Sequence, residues 1–160
     1  MSFNIRIGET IIATEEGETF LDVAVQAVEV EDAPYWDSFG DGVQDLSGKT
    51  NSRYPGYSSM YSFCRRTGLT DLFFNEEEDK GLLVPHPGIK RILPRHMAQI
   101  KSARMAYQRE FPDVIPGWLD PKEAGEVPAI RAANLAKLIW YEFWFVWALK
   151  SCKIPAIANS

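Results

Sequence analysis

The chain has 160 residues, 46% hydrophobic and 24% charged, the proportions of an ordinary soluble globular protein. That is length for one domain burying roughly 70% of the surface its unfolded form exposes. A formal net charge of −5 argues against wholesale wrapping by nucleic acid, yet eleven acids against two bases (Arg6 and Lys49) fall in residues 1–50, and six bases with no acid in residues 90–109.

Phe3 to Ile7 alternate apolar and polar, and Gly8-Glu9-Thr10 separates them from Ile11-Ile12-Ala13. Glu16-Gly17 is a turn signal. From Phe20 to Glu31 the β-branched Val23, Val25, Val28 and Val30 favour strand, with a bulge or break between Val25 and Val28. The first third therefore predicts two or three antiparallel strands; a helix over Thr19–Val28 is the competing reading. Residues 32–57 are rich in Gly, Pro, Asp and Ser and read as a long irregular connection. Its aromatics Tyr35, Trp36, Phe39, Tyr54 and Tyr57 argue for an ordered loop packed on the body.

Ser58 is placed to cap a short helix from Ser59 to Thr67, closed by Gly68. Leu69 to Phe74 reads as another helical turn, followed by the acidic run Glu76 to Asp79 and a break at Pro85, Pro87 and Gly88. Pro94 suits the first turn of a helix reaching Glu110, with Met97, Ile100, Ala103, Tyr107 and Phe111 inward. Pro112 and Pro116 end it, and a second loop carries Trp118 and Pro121. A terminal helix spans Ile130 to Ser151, and Ile154 to Ile157 reads as extended.

Within the terminal helix, eleven of the twelve residues from Leu138 to Leu149 are apolar or aromatic, and Trp140, Trp144 and Trp147 fall on one helical stripe. Such a helix must be buried all round or dock on a partner. The expected fold is α+β: a small N-terminal antiparallel sheet packed on a helical C-terminal part around a buried aromatic terminal helix. That helix has more apolar surface than one small sheet and two amphipathic helices readily cover, so a homodimer or higher oligomer is expected. The apolar stretch is well short of a membrane span. The start at Met1 has no basic segment followed by an apolar one, and Cys64 and Cys152 lie far apart, which together fit free thiols in a reducing cytoplasm.

Glu142 is the exception in the apolar stretch. Its helical neighbours Leu138, Ile139, Phe145 and Val146 cannot neutralise it, so it is either a general acid in the making or one half of an ion pair with an arginine from another element. His86 lies in Val-Pro-His-Pro-Gly, a stiff turn, and His96 in the first turn of the basic helix; surface turn and helix cap are the plain roles, acid–base pairing the sharper one. Neither belongs to a metal-binding pattern. Asp37 to Gly42 resembles a calcium loop only superficially, since Phe39 and Gly48 stand where oxygen ligands are required. Phosphate-binding glycine signatures are absent, so no cofactor is implied.

Lys90, Arg91 and Arg95 precede or open the basic helix, where free backbone N–H groups also attract anions, and Lys101, Arg104 and Arg109 continue it. Any anionic ligand would meet Lys90, Arg91, Arg95 and Arg104, with Trp36, Tyr54 and Tyr57 closing over it. The acidic first third, of the same molecule or of a neighbouring subunit, is the alternative partner for this face. Three functions follow. The first is a non-enzymatic, homo-oligomeric interaction protein, of the accessory kind that phage and mobile elements carry. The second is a nucleotide or nucleic-acid binder using residues 90–109. The third is a hydrolase or transferase working through Glu142 and a histidine.

Overall fold

The computed structural model describes residues 1–24, 30–34 and 49–160. Strands β1 (Ile5–Glu15) and β2 (Glu18–Val23) form a hairpin in register from Thr10 opposite Val23 to Glu15 opposite Glu18. Glu16 and Gly17 between them have φ of 52° and 82°, the paired positive values of a type I′ turn whose twist matches that of the strands. The competing helix over Thr19–Val28 does not form where it can be seen, since Thr19 to Val23 lie in β2. The bulge expected between Val25 and Val28 lies outside the described residues, as do Tyr35, Trp36 and the Asp37 to Gly42 loop.

Gly8 was expected to separate two strand segments, and it does not. A side chain there would meet the Asn51 amide nitrogen at 3.0 Å and the Trp147 ring at 3.5 Å, so glycine lets both approach β1 closely. The Asn51 amide donates to the carbonyls of Ile7 and Ala24, 2.8 Å each, and holds the strand straight through. Strand β3 (Ser52–Arg53) pairs with Ile5 and Arg6 on one side of β1. Strand β5 (Pro155–Asn159), buried at all five positions, pairs on the other, with Ile157 opposite Ile7. Strand β4 (Gly88–Arg91) pairs with β5 in turn, so Lys90 and Arg91 sit on a strand and not in a plain helix lead-in. All pairings are antiparallel, in the order β2-β1-β5-β4 with β3 beside β1.

Helix α1 (Tyr57–Thr67) is entered through Gly56, not Ser58, and ends at Gly68 with φ 74°. Helices α2 (Thr70–Phe74), α3 (Pro94–Glu110) and the short α4 (Pro121–Ala124) follow. Helix α5 (Glu126–Ser151) starts earlier than Ile130, because Pro128 falls in its first turn, where a missing N–H leaves no bond unmade.

Helix α5 forms the centre of the protein. Trp140, Tyr141, Trp144 and Phe145 are fully buried, packed with Phe63 and Phe73 from α1 and α2 and with Ile5, Ile7 and Ile157 from the sheet. The fold is α+β with a buried aromatic cluster. The sheet and α1, α3 and α4 pack against α5, yet Ile139, Phe143, Val146, Trp147 and Leu149 are only partly buried, so part of its apolar surface stays open. Arg53 is buried as well, its guanidinium 5.3 Å from the Trp140 ring and 5.4 Å from the Tyr141 ring. Cys64 and Cys152 are both free. Among the described residues, no helix is long and apolar enough to cross a membrane.

Candidate functional site

Glu142 meets an arginine from another helix. Arg104, on α3, donates from Nε and Nη2 to the two carboxylate oxygens, the second bond 3.1 Å long. Its remaining nitrogen donates to Gln108, 2.7 Å away. A bidentate fork of this kind is the strong form of an ion pair. The bond to Glu142 is also the main reason why the Arg104 guanidinium holds its proton more tightly than usual. The residue offered as a general acid and one of the residues offered as an anion ligand are therefore joined to each other. Among the described residues neither histidine is bonded to Glu142.

The histidines take separate structural roles. His96 is buried in the first turn of α3, where its Nδ1 accepts from the Leu93 backbone N–H at 2.9 Å, a capping contact. Burial, and then the charge of Arg95, hold its pKa below the ordinary value. His86 stands between two cis prolyl bonds. Its Nδ1 bonds the side-chain oxygen of the buried Asn159, and its Nε2 is 2.8 Å from the Tyr57 hydroxyl. The Asn159 amide nitrogen faces the carbonyls of Pro85 and Gly88 at 3.4 and 3.5 Å, which leaves its oxygen for the imidazole. Tyr57 is thereby tied into the body of the protein. Asn159 had no signal in the sequence, lying in what reads as a tail.

The basic residues are distributed over two elements. Lys90 donates to the backbone carbonyl of Asp79, Arg91 is exposed on β4, and Arg95 is exposed in the first turn of α3. Tyr54 is half-buried after β3, and Trp36 lies outside the described residues. Along the outer side of α3, Arg95, Ala98, Lys101, Ser102, Met105 and Arg109 are all exposed and follow one another at helical spacing. The result is a stripe of small and apolar residues flanked by positive charge.

A second exposed apolar surface is the hairpin. Beyond Glu9, β1 pairs with β2 alone among the described strands. Ile12 is 75% exposed and Leu21, directly opposite it, is 56% exposed; Phe20 and Ile11 on the other face are also open. Glu15, Glu16 and Glu18 are exposed around the turn. A hairpin that leaves β-branched and large apolar residues in water on both faces gains little from its own chain. The sequence showed these residues as strand formers; their exposure depends on where the rest of the sheet ends.

Among the described residues no group of three His, Cys, Asp or Glu side chains is placed to hold a metal ion. Compared with protein-family models, with curated proteins and with solved structures, the chain matches none.

Proposed function

We propose that the protein is a non-enzymatic interaction module that works as a homo-oligomer, the β1–β2 hairpin of one copy lying along the outer side of α3 of the next. The observation that carries this reading is the exposed Ile12–Leu21 pair on a hairpin with an acidic tip. The two surfaces are matched in size and charge. Six residues of β1 reach about 20 Å, and the 17 residues of α3 about 25 Å. Ile12 and Leu21 would cover Ala98 and Met105, while Glu15, Glu16 and Glu18 meet Lys101 and Arg109. Two different patches make a head-to-tail contact, which closes into a ring or extends as a filament according to the rotation between copies.

Light scattering at micromolar concentration tests it. Wild type is expected to assemble, and Ile12→Asp with Leu21→Asp to give a monomer with an unchanged circular-dichroism spectrum. A wild-type monomer would contradict the reading.

A second reading is favoured by one observation, the exposure of Arg91, Arg95, Lys101 and Arg109 on neighbouring elements with no acid between residues 90 and 109. Such a face suits a polyanion. Binding of a nucleic acid there would weaken steeply with added salt, whereas assembly driven by apolar burial would survive it.

A further inference from the structure

A small pocket of about 220 Å³ lies where the start of the chain meets α1, the end of α2 and the loop before β4, and aromatic rings form most of its wall. Phe3, only 2% exposed, is its base. The Phe3 ring centroid lies 4.7 Å from that of Tyr57, 4.8 Å from His86, 5.7 Å from Phe74 and 6.2 Å from Tyr61. Two pairs of rings stand around it. Tyr57 and His86 meet edge to face at 90°, joined by the 2.8 Å bond between hydroxyl and Nε2. Tyr61 and Phe74 lie 4.4 Å apart, and Tyr61 is 45% exposed. Leu83, Val84 and the exposed carboxylate Glu76 complete the lining.

Backbone contacts hold these rings in place. The Phe3 N–H donates to the Pro55 carbonyl at 2.9 Å, and Ser2 bridges to Gly56, which seats Phe3 at the start of α1. Tyr57 and Tyr61 are one helical turn apart on α1. The N–H groups of Gly81 and Leu83 donate to the carbonyls of Asn75 and Phe73, at 2.8 and 2.9 Å, so the loop carrying Leu83 and Val84 runs beside Phe74 and Glu76.

The face of an aromatic ring is the negative part of its quadrupole and attracts a cation within about 6 Å. Glu76 adds a full negative charge, and among the described residues no lysine or arginine lines the pocket. The walls also select the kind of cation. The Tyr57 hydroxyl donates to His86, and the remaining side-chain wall is mostly ring and hydrocarbon, so a strongly hydrated primary ammonium would give up water for few acceptors. A cation whose charge is spread over methyl groups has no N–H to satisfy. The volume is below that of a drug-sized site, so the pocket takes a head group and not a whole extended ligand.

We infer that this pocket binds a trimethylammonium group, carried by a small choline-like molecule or by a trimethylated lysine side chain. The methyl groups lie against Phe3, Tyr57, Tyr61 and Phe74, and Glu76 balances the charge. Among the described residues neither the β1–β2 hairpin nor α3 contributes to the lining, so the site is independent of assembly.

NMR titration of the full chain with three probes tests it: choline, its uncharged isostere 3,3-dimethyl-1-butanol, and Nα-acetyl-Nε-trimethyllysine amide. At least one of the two cations is expected to bind one per chain and about tenfold more tightly than the isostere, the margin of a cation over desolvated rings. Whichever cation binds more tightly identifies the source of the group. Tyr61→Ala changes a half-exposed side chain and should weaken that binding about fivefold, while Tyr61→Phe should retain it. Glu76→Gln should weaken it several-fold and leave the isostere unaffected. The Ile12→Asp, Leu21→Asp variant should bind as wild type does. Equal affinity for both cations and the isostere, no saturable binding of either cation at millimolar concentration, or binding undiminished by both Tyr61→Ala and Glu76→Gln would overturn the proposal.

Discussion

Arg104 and Glu142 close a two-pronged ion pair across the α3–α5 interface, with side chains 23% and 18% exposed. The pair explains how a carboxylate survives in a stretch of eleven apolar residues. It also fixes the rotation of α3 on α5, because a guanidinium fork accepts a carboxylate in one plane. Removing one partner strands the other in a half-buried site. Arg104→Met alone should destabilise the protein by roughly 1–3 kcal/mol, and the double-mutant cycle with Glu142→Gln should return a coupling of about 1–2 kcal/mol in urea denaturation. Additivity of the two changes would show that the pair contributes nothing beyond its separate contacts.

His96 makes stability depend on pH in a stated direction. Burial, then the Arg95 charge, hold the folded pKa below the ordinary 6.5, so the unfolded chain takes up the proton first. The contribution is complete above 6.5 and is lost as pH falls through that value, levelling off once the folded imidazole also protonates. His96→Gln keeps a side-chain acceptor for the Leu93 N–H and cannot titrate in this range. Between pH 7.5 and pH 5.5, wild type should lose more stability than His96→Gln. Parallel losses in the two proteins would remove His96 from the explanation.

The bonding around His86 requires one tautomer. Asn159 presents its oxygen, so the proton is on Nδ1, which leaves Nε2 to accept from the Tyr57 hydroxyl. Nitrogen NMR at alkaline pH should show Nδ1 protonated in wild type, the minority form of free histidine. Asn159→Leu should return the ring to the Nε2-protonated form; an Nε2-protonated ring in wild type would mean that the Asn159 amide is turned the other way.

Much of the local structure was legible in the sequence because it depends on neighbours in the chain. Glu16-Gly17 gave a hairpin turn, Gly68 and Pro94 gave helix boundaries, and the run from Leu138 to Leu149 located the core. What escaped depends on distant partners. Pro155 to Asn159 contains two alanines and little β-branched character, and it becomes an inner strand only because Ile7 and Lys90 both lie against Ile157. The oversight of β4 followed from that. The extra strands cover one side of the helix expected to drive assembly, Ile139, Phe143, Val146 and Trp147 stay only partly buried, and a further apolar surface lies on the hairpin. Candidate site residues fared similarly: the arginine-pair alternative for Glu142 was readable from its apolar neighbours, but nothing in the local sequence marks Asn159 as the partner of His86.

The head-to-tail contact between hairpin and α3 is tested most directly by exchanging its charges and mixing the products. One variant carries Glu15→Lys, Glu16→Lys and Glu18→Lys; the other carries Lys101→Glu and Arg109→Glu. Each alone sets like charge against like charge and should remain monomeric by light scattering and analytical ultracentrifugation. Mixed in equal amounts, the lysine tip of the first faces the acidic helix of the second, while the native tip of the second faces the native helix of the first. Assemblies should therefore return, with the two variants alternating. Assembly of either variant alone at the wild-type level, or a mixture that stays monomeric while wild type assembles, would contradict the contact.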